Sequence, residues 1–222
     1  MAKTATPTRR QQPYHHGNLA QALVSAGLEM AAEGGPEALS LREAARRAGV
    51  SPTATYRHFE NRDALVMAVK VAVLTRLGAA LRAATRSRLP GGLDDAQRAR
   101  RRLVGIGRAY VEFAVTNPGQ YRVIFADATF PDDTGSGGDE ACAYESPYGI
   151  LSEVLDQMVA AGALEPERRE GAEVPMWALV HGLSSLILEG PYGQLPRREQ
   201  VALVEAALDL VIAGLQDSAH SG

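Results

Sequence analysis

The stretch SLREAARRAGVSPTATYRHF, residues 40–59, decides the fold because it carries the signals of two short helices joined at a glycine. Ser40, followed three residues later by Glu43, predicts a capping box at the start of the first helix. Gly49 is placed for a left-handed C-cap, and Ser51, with a proline after it, predicts the N-cap of the second helix. Two short helices joined by a tight, glycine-containing turn are typical of a helix-turn-helix.

The rest of the 222-residue chain also has the apolar spacing of helices, and no alternating strand pattern bounded by turns is found. We therefore predict an all-α fold of about nine helices, with a polar arm at residues 1–16 and a mobile loop at 126–145. Pro175 should kink the eighth helix or mark its true start. Besides the short pair, three longer helices have predicted N-caps: Asn18 for a helix that ends near residue 33, Asn61 for 62–86, and Asp94 with Gln97 for 94–116. A short helix is predicted after Asn117. The last three predicted helices are 147–161, 170–188 and 196–215.

The net charge of −3 is unevenly distributed along the chain. Residues 1–88 carry 13 Lys and Arg against 6 Asp and Glu, whereas residues 89–222 carry 10 against 20. A basic first third on an acidic body predicts a head that binds a polyanion, although chance clustering of solvated charge gives the same distribution.

Composition indicates a protein with a sizeable core, since 45% of the residues are apolar. The single cysteine, Cys142, excludes an intrachain disulfide and fits a reducing cytoplasm, with a cysteine-poor secreted protein as the alternative. The N-terminal residues lack the apolar segment of a signal peptide, and the apolar run 64–81 is interrupted by Lys70 and Arg76. These features predict a cytoplasmic protein without a membrane span.

The hydroxyls and the histidine in residues 51–58 fit two kinds of site. Thr55 and His58 could meet on a helix as nucleophile and base, but no glycine loop or nucleophile elbow for an oxyanion adjoins them. Ser51, Thr53 and Thr55 instead fall in the first turn of a short helix, where free amides and the helix dipole favour an anion. With the donors that follow, this pattern favours nucleic-acid phosphates over catalysis, the plainer alternative being that Ser51 only caps the helix.

The stretch LSLREAARRAGVSPTATYRHFENRDAL, with its Y-x-H-F pattern and the acidic residue near the leucine of the long helix, carries a family resemblance. Residues 14–65 resemble the DNA-binding domain of TetR-family transcriptional regulators. The YHHGN start and the W-x-x-x-H-G pattern of residues 177–182 resemble a subgroup with a Trp-His-Gly-containing C-terminal domain. Residues 117–121 and 161–164 extend the resemblance into the body.

The resemblance implies that residues 1–62 form an arm and a three-helix, helix-turn-helix DNA-binding domain, and residues 63–222 a helical effector-binding and dimerisation domain. Arg62 stands where the family usually has lysine, and an arginine can hold a phosphate with two hydrogen bonds. Lys3, Arg9 and Arg10 form either an arm that enters a groove or a solubilising tail. The implied DNA-binding residues are Ser40, Arg42, Ser51, Thr53, Thr55, Tyr56, His58 and Arg62.

In the body, His181 lies one helical turn from Trp177 and therefore on the same face of a helix. It is either a core histidine or part of a pocket wall that binds an effector. Aromatic rings and methionines with a few polar groups suit an apolar pocket, although each residue alone fits an ordinary core. The candidate pocket residues are Tyr110, Phe113, Tyr121, Phe125, Met158, Met176, Trp177 and His181.

The last two predicted helices share a wide apolar stripe, which is either buried within the monomer or used for assembly. The resemblance implies a four-helix homodimer interface that presents two recognition helices to a pseudo-palindromic operator on double-stranded DNA. The candidate interface residues are Leu183, Leu186, Ile187, Val204, Leu208, Val211, Ile212 and Leu215.

No catalytic, metal or cofactor site is predicted. His15 and His16 are adjacent and so point to different faces of a helix, and the glycines of 105–107 and 135–138 do not follow a strand. The preferred interpretation is a homodimeric repressor released from its operator by an unknown small-molecule effector, with the helix at 62–86 coupling head and body. The alternatives are a transcriptional activator or DNA-binding protein without a small ligand, which a sealed body would favour, and an all-helical enzyme.

Overall fold

The computed structural model describes residues 19–126 and 146–216. In these ranges the chain forms nine α-helices and no strand, which confirms the predicted fold class. The helices are α1 (Leu19–Gly34), α2 (Leu41–Ala48), α3 (Pro52–Thr55), α4 (Arg62–Thr85), α5 (Asp95–Thr116), α6 (Pro118–Ile124), α7 (Pro147–Ala160), α8 (Glu173–Leu188) and α9 (Arg197–Gln216). Several predicted features lie outside the described residues: the Asn18 cap, the arm with Lys3, Arg9 and Arg10, His15 and His16, the glycines of 135–138, and Cys142.

The head consists of α1, α2 and α3 packed against the start of α4. α1 and α4 approach so closely at Gly27 that a Cβ there would overlap the side chain of Val69. Leu39, Phe59 and Leu65 are buried in the same core. The first turns of α4 thus belong to the head core, and α4 continues without a break past the predicted domain boundary at residue 62.

Two helix signals in the deciding stretch are confirmed. Gly49 ends α2 with φ 71°, in the left-handed region that glycine adopts without steric cost. The Ser51 side chain accepts a hydrogen bond from the amide of Ala54 and so caps α3. These two residues fix the tight turn between the helices.

The predicted capping box of α2 is wrong. Ser40 occupies the N-cap position, but its side chain makes no cap hydrogen bond. The Glu43 carboxylate instead accepts hydrogen bonds from Arg46 and Arg47 at 2.7–2.8 Å. A guanidinium is the stronger partner, because hydrogen bonds between ionised groups are about twice as strong as neutral ones.

Helix α4 is the longest helix in the described ranges, at 24 residues, and packs against α1, α5, α6 and α7. Its N-cap, Asn61, accepts the amide of Ala64 as predicted. By length and composition α4 could cross a membrane, but half of its most apolar window is buried within the protein. Packing against four neighbouring helices accounts for its apolar character.

The body is arranged around α5, which packs against α4, α7, α8 and α9. The Asp94–Gln97 capping box at its start is formed as predicted. Asn117 separates α5 from α6, and its side-chain amide donates to the carbonyl of Phe113. Pro175 is the third residue of α8 and so marks the start of that helix.

Candidate nucleic-acid interface and effector site

Helices α2 and α3 together present a polar surface to solvent. Ser40, Arg42 and Tyr56 line one depression of about 370 Å³ between the start of α2 and α3. Tyr56 is 60% exposed, and Thr53 and His58 are exposed beside it. The structure therefore brings together five of the eight predicted DNA-binding residues as one accessible surface with hydroxyl, guanidinium and imidazole groups.

Ser51 lies at the edge of this surface and has a structural role as well. Its hydroxyl oxygen accepts the Ala54 amide at 3.3 Å, while the hydroxyl hydrogen remains able to donate. The α-helical part of α3 is only four residues long, so its dipole is small. Anion contact at this surface must therefore come from side chains rather than from the helix terminus.

The prediction for Thr55 is wrong. This residue has no exposed surface, and its Oγ1 is buried without a hydrogen-bond partner. Its carbonyl accepts the amides of His58 and Phe59, and Phe59 is buried as well. The two adjacent side chains therefore have opposite environments, because Tyr56 is exposed to solvent and Thr55 is buried in the head core.

Arg62 is half-exposed, but two of its donors are used within the protein. Its Nε donates to the carbonyl of Leu39 at 3.0 Å, and its Nη2 donates to the carbonyl of Pro36 at 2.6 Å. The guanidinium thus makes to two backbone carbonyls the pair of hydrogen bonds predicted for a phosphate. Arg62 thus fastens the start of α4 to the segment before α2, and its contact with DNA stays a prediction.

Ion pairs occupy the acidic and most of the basic groups of α2. Hydrogen bonds from Arg46 and then Arg47 lower the pKa of Glu43 to about 2, so that its carboxylate stays ionised. Arg47 also reaches Glu33 of α1 at 2.6 Å. Arg57 is one of the donors that follow the α3 hydroxyls in sequence but is not in the predicted DNA-binding set. It is exposed next to Tyr56, and its charge suits the surface.

In the body, five of the eight predicted pocket residues come together as a ring cluster, defined here as Tyr110, Tyr121, Phe125, Trp177 and His181. The Tyr121 hydroxyl lies 2.8 Å from Nδ1 of His181 and 3.4 Å from the Tyr110 hydroxyl. The Phe125 ring lies 4.2 Å from the imidazole, and Trp177 packs edge-on against Tyr110 at 5.4 Å. The cluster joins α5, α6 and α8.

The ring cluster is uncharged at neutral pH. Burial lowers the pKa of His181, which keeps the imidazole neutral, and burial raises the pKa of Tyr121, which keeps its proton. With the His181 proton on Nε2, the Tyr121 hydroxyl donates to Nδ1 and the Tyr110 hydroxyl donates to Tyr121. His181 is therefore both a packed residue and the end of a hydrogen-bonded chain.

A small apolar cavity adjoins the ring cluster. Its volume is about 20 Å³, room for one water-sized group, and Tyr110, Trp177, Met176 and Leu151 are among the residues that line it. Of the eight predicted pocket residues, Tyr110, Met176 and Trp177 line this cavity. Tyr121, Phe125 and His181 do not line it, and Phe113 and Met158 are buried core residues. In the part of the chain that the structure describes, no three metal-ligating side chains gather at one point.

Sequence comparison assigns both halves of this architecture to one family. Residues 23–69 match the bacterial regulatory proteins of the TetR family, and residues 103–211 match the tetracyclin repressor-like C-terminal domain. The chain belongs to the TetR family of bacterial transcriptional regulators. The narrower subgroup suggested by Trp177, His181 and Gly182 stays a prediction.

Solved structures show the same TetR fold. The chain is 28% identical to a protein of unknown function from Rhodococcus sp. RHA1, with 93% of this chain and 100% of that one covered and a TM-score of 0.72. A TetR variant from Acinetobacter baumannii AYE in complex with minocycline is 23% identical, covering 88% of this chain and 97% of that one with a TM-score of 0.59. No curated protein matches the sequence.

Three large apolar side chains are exposed on α8 and α9, and one of them is a predicted interface residue. Leu186 is 41% exposed, and Val174 and Leu210, which the sequence reasoning missed, are 63% and 74% exposed. Val211 and Leu215 are partly buried. The predictions for five residues are wrong because they are buried in the monomer core: Leu183, Ile187, Val204, Leu208 and Ile212.

Proposed function

We propose that this TetR-family chain is a homodimeric, cytoplasmic repressor that binds a pseudo-palindromic operator and releases it when a small molecule binds the body. The observation that carries the DNA contact is the exposed group of Arg42, Thr53, Tyr56 and His58 on α2, α3 and the turn after α3. Guanidinium, hydroxyl and imidazole groups of this kind bind phosphates and base edges in the major groove.

Dimerisation through α8 and α9 is supported by where exposed apolar side chains are found. Val174, Leu186 and Leu210 are three of the five large apolar residues exposed in the described ranges. Burying them against a second copy removes their contact with water, which is the main driving force of such interfaces. A two-fold axis through this face would present both α3 surfaces to half-sites about one DNA turn apart.

The chemistry of the ring cluster supports an uncharged, largely apolar effector. Among the described residues, no charged side chain lines the adjoining cavity, and a charge buried there would lack a partner. The cavity of about 20 Å³ is far below the roughly 300 Å³ of small-molecule pockets, so binding requires the rings to separate.

The small volume of the cavity also favours a second candidate function, a DNA-binding regulator that has no small-molecule effector. The two candidates differ in one measurable property, because Trp177 is the only tryptophan of the chain and lines the cavity. An uncharged aromatic probe such as naphthalene should change the Trp177 emission if the rings separate to admit it, whereas 2-naphthoate, of matched shape but charged, should not. An emission that neither compound changes would favour the regulator without an effector.

The operator proposal is tested by selecting bound sequences from a random double-stranded DNA pool near physiological salt. We expect a pseudo-palindrome with half-sites about one helical turn apart. The His58→Ala variant is the control and should bind the recovered duplex more weakly, since it removes an exposed polar group without disturbing the core. A folded dimer that enriches no sequence would contradict the proposed function.

A further inference from the structure

Four charged side chains on α1 and α2 form the charge row, defined here as Glu33, Arg47, Glu43 and Arg46. Glu33 of α1 accepts two hydrogen bonds from Arg47, at 2.6 and 2.8 Å. Arg47 also donates to Glu43 at 2.8 Å, and Glu43 accepts two more hydrogen bonds from Arg46, at 2.7 and 2.8 Å. Among the described residues, Arg46 therefore pairs with one carboxylate, whereas Arg47 pairs with two.

The two arginines of the charge row differ in their exposure to solvent. The Arg46 side chain is 72% exposed, whereas the Arg47 side chain is 22% exposed. An ion pair between groups in contact with water contributes little stability, because the solvent screens the charges and the long side chains lose freedom. Arg46 can therefore leave Glu43 at small cost, and Glu43 keeps Arg47 as a partner when this happens.

Arg47 is not an equivalent candidate for release from the charge row. Its guanidinium is held by Glu33 with two hydrogen bonds in a fork geometry, and Glu33 belongs to the neighbouring helix α1. Releasing Arg47 would therefore open a link between α1 and α2 as well as the bond to Glu43. The member of the charge row that is available to another partner is Arg46.

Arg46 lies on the side of α2 that also carries predicted DNA contacts. Arg42 and Arg46 are four residues apart, which places them on one face of the helix. Both line a depression of about 520 Å³, together with Ser40 and Glu43. Ser40 and Arg42 also line the depression that contains Tyr56. The surface proposed to face DNA therefore continues along α2 as far as Arg46.

A DNA phosphate offers Arg46 the same geometry as the Glu43 carboxylate, because a guanidinium binds either group with two parallel hydrogen bonds. The exchange of partners also neutralises a phosphate, which releases a counterion condensed on the duplex and so favours the complex at low salt. No such release accompanies the pair with Glu43 in the free protein. The balance therefore favours the phosphate when a duplex lies within reach of Arg46.

We propose that Arg46 is a further DNA-binding residue of this regulator, held by Glu43 in the free protein and transferred to a backbone phosphate when the head binds a duplex. The inference rests on the proposed function, because it takes the surface of α2 and α3 as the DNA contact. Glu43 acts against binding in this scheme, since its carboxylate competes with the phosphate for one guanidinium. It also lowers the positive potential with which the free head attracts DNA of any sequence.

The test removes the ion pair without changing the net charge of the protein. The double variant Glu43→Gln, Arg46→Gln deletes one negative and one positive charge, so the long-range field of the head is kept. If Arg46 binds a phosphate in the complex, the slope of log affinity against log salt should fall by about one unit. The operator Kd near physiological salt should rise by about three- to tenfold, the effect of one lost hydrogen-bonded contact. If the pair stays closed in the complex, both quantities should equal those of the unchanged protein.

The matched control is the ion pair between Arg108 of α5 and Glu205 of α9, 2.9 Å apart with side chains 52% and 43% exposed. The double variant Arg108→Gln, Glu205→Gln should leave the slope and the Kd unchanged, because both helices belong to the body. Circular dichroism and thermal unfolding verify that each variant is folded. Arg46→Lys provides a second measurement that keeps Glu43. It retains the charge, and hence the slope, but loses the fork geometry and should raise the Kd by about two- to fivefold, whereas an unchanged Kd would count against the phosphate contact.

Two kinds of DNA separate this inference from the proposed function. Fluorescence anisotropy measures affinity and salt slope with a duplex from the selection experiment and with a duplex of random sequence. If the operator is bound and the Glu43→Gln, Arg46→Gln protein keeps the slope and Kd of the unchanged protein, the role of Arg46 fails and the proposed function stands. If no operator is recovered but the random duplex is bound with a slope that this variant lowers, the proposed function fails and the role of Arg46 stands. An unchanged protein that binds neither duplex would overturn both.

Discussion

At the end of α3, two residues that are neighbours in sequence differ in environment. Tyr56 is 60% exposed, whereas Thr55 has no exposed surface. A tyrosine ring in water is an unfavourable arrangement for a monomer, and its hydroxyl can form a hydrogen bond to a phosphate or a base. Thr55, by contrast, contributes to the core of the head, and its residue type alone gave no indication of this.

Tyr56→Phe should weaken operator binding by about three- to tenfold, the effect of one hydrogen bond, because the ring is kept and only the hydroxyl is lost. Fluorescence anisotropy with the selected duplex measures the affinity. Tyr148→Phe is the matched control, as Tyr148 is also exposed but lies on α7. Equal affinity of Tyr56→Phe and the unchanged protein would remove Tyr56 from the interface.

Arg62→Lys should destabilise the protein by about 1–2 kcal/mol, because lysine cannot donate in the fork geometry that reaches both the Pro36 and Leu39 carbonyls. The expected loss is smaller than for two fully buried hydrogen bonds, because the Arg62 side chain is 49% exposed to solvent. Urea unfolding measures the loss, with the exposed Arg57→Lys as control. A fall of about one unit in the salt slope of operator binding on Arg62→Ala, without loss of stability, would confirm the phosphate role.

At the scale of elements, the helix-turn-helix depends on the conformation of one residue more than on its contacts. Gly49 has φ 71° at the end of α2, and a Cβ there would meet no atom within 4 Å. The requirement for glycine at this position is therefore conformational rather than steric. The angle between α2 and α3, and with it the spacing of Arg42 and Tyr56, depends on this turn.

Gly49→Ala should destabilise the protein by about 1 kcal/mol, because an alanine in the left-handed region is strained. Gly91→Ala is the matched control, since Gly91 also has open space around it but no positive φ. Thermal unfolding of the two variants compares them directly. Equal unfolding temperatures for both would show that the turn relaxes without cost.

At the scale of the whole molecule, the ring cluster connects α5, α6 and α8 through uncharged groups. His181 has a pKa below the ordinary value of 6.5 because burial penalises its charged form. In the unfolded chain the imidazole takes up a proton near pH 6.5, and in the folded protein it does so only at lower pH. The free energy of unfolding is therefore higher above this pH window, and it decreases as the pH falls through the window.

The free energy of unfolding should decrease as the pH is lowered from about 7 to 5, and less so in His181→Gln, which cannot titrate but can still accept from Tyr121. Chemical denaturation at a series of pH values measures both proteins. The Glu43 carboxylate, with its pKa of about 2, titrates below this range. Parallel pH profiles of the two proteins would show that His181 does not titrate differently on folding.

Leu210→Glu should convert a dimer into a monomer, because it places a charge at the most exposed apolar residue of α9. Sedimentation velocity at micromolar concentration measures the assembly. Tyr148→Glu, an equally radical change at an exposed residue of α7, should leave the dimer intact. A Leu210→Glu protein that remains dimeric would place the interface on another face.

The sequence by itself determined the features that depend on neighbouring residues. Gly49, Ser51, Asn61 and the Asp94–Gln97 pair act within one helical turn, so their residue types specify the helix ends. The same local rule failed at Ser40, because the Glu43 side chain has arginines as stronger competing partners. The helix-turn-helix and the all-α class could therefore be predicted from residue patterns.

Only the tertiary structure decided which face of each helix is free. The apolar stripe of α8 and α9 is continuous in sequence, yet Leu208 is fully buried in the monomer and Leu210 is 74% exposed. The acceptors of Arg62 lie 23 and 26 residues earlier in the chain, and Gln120 bonds a carbonyl 92 residues away. Local spacing does not encode such partners, because the packing of separate helices brings them together.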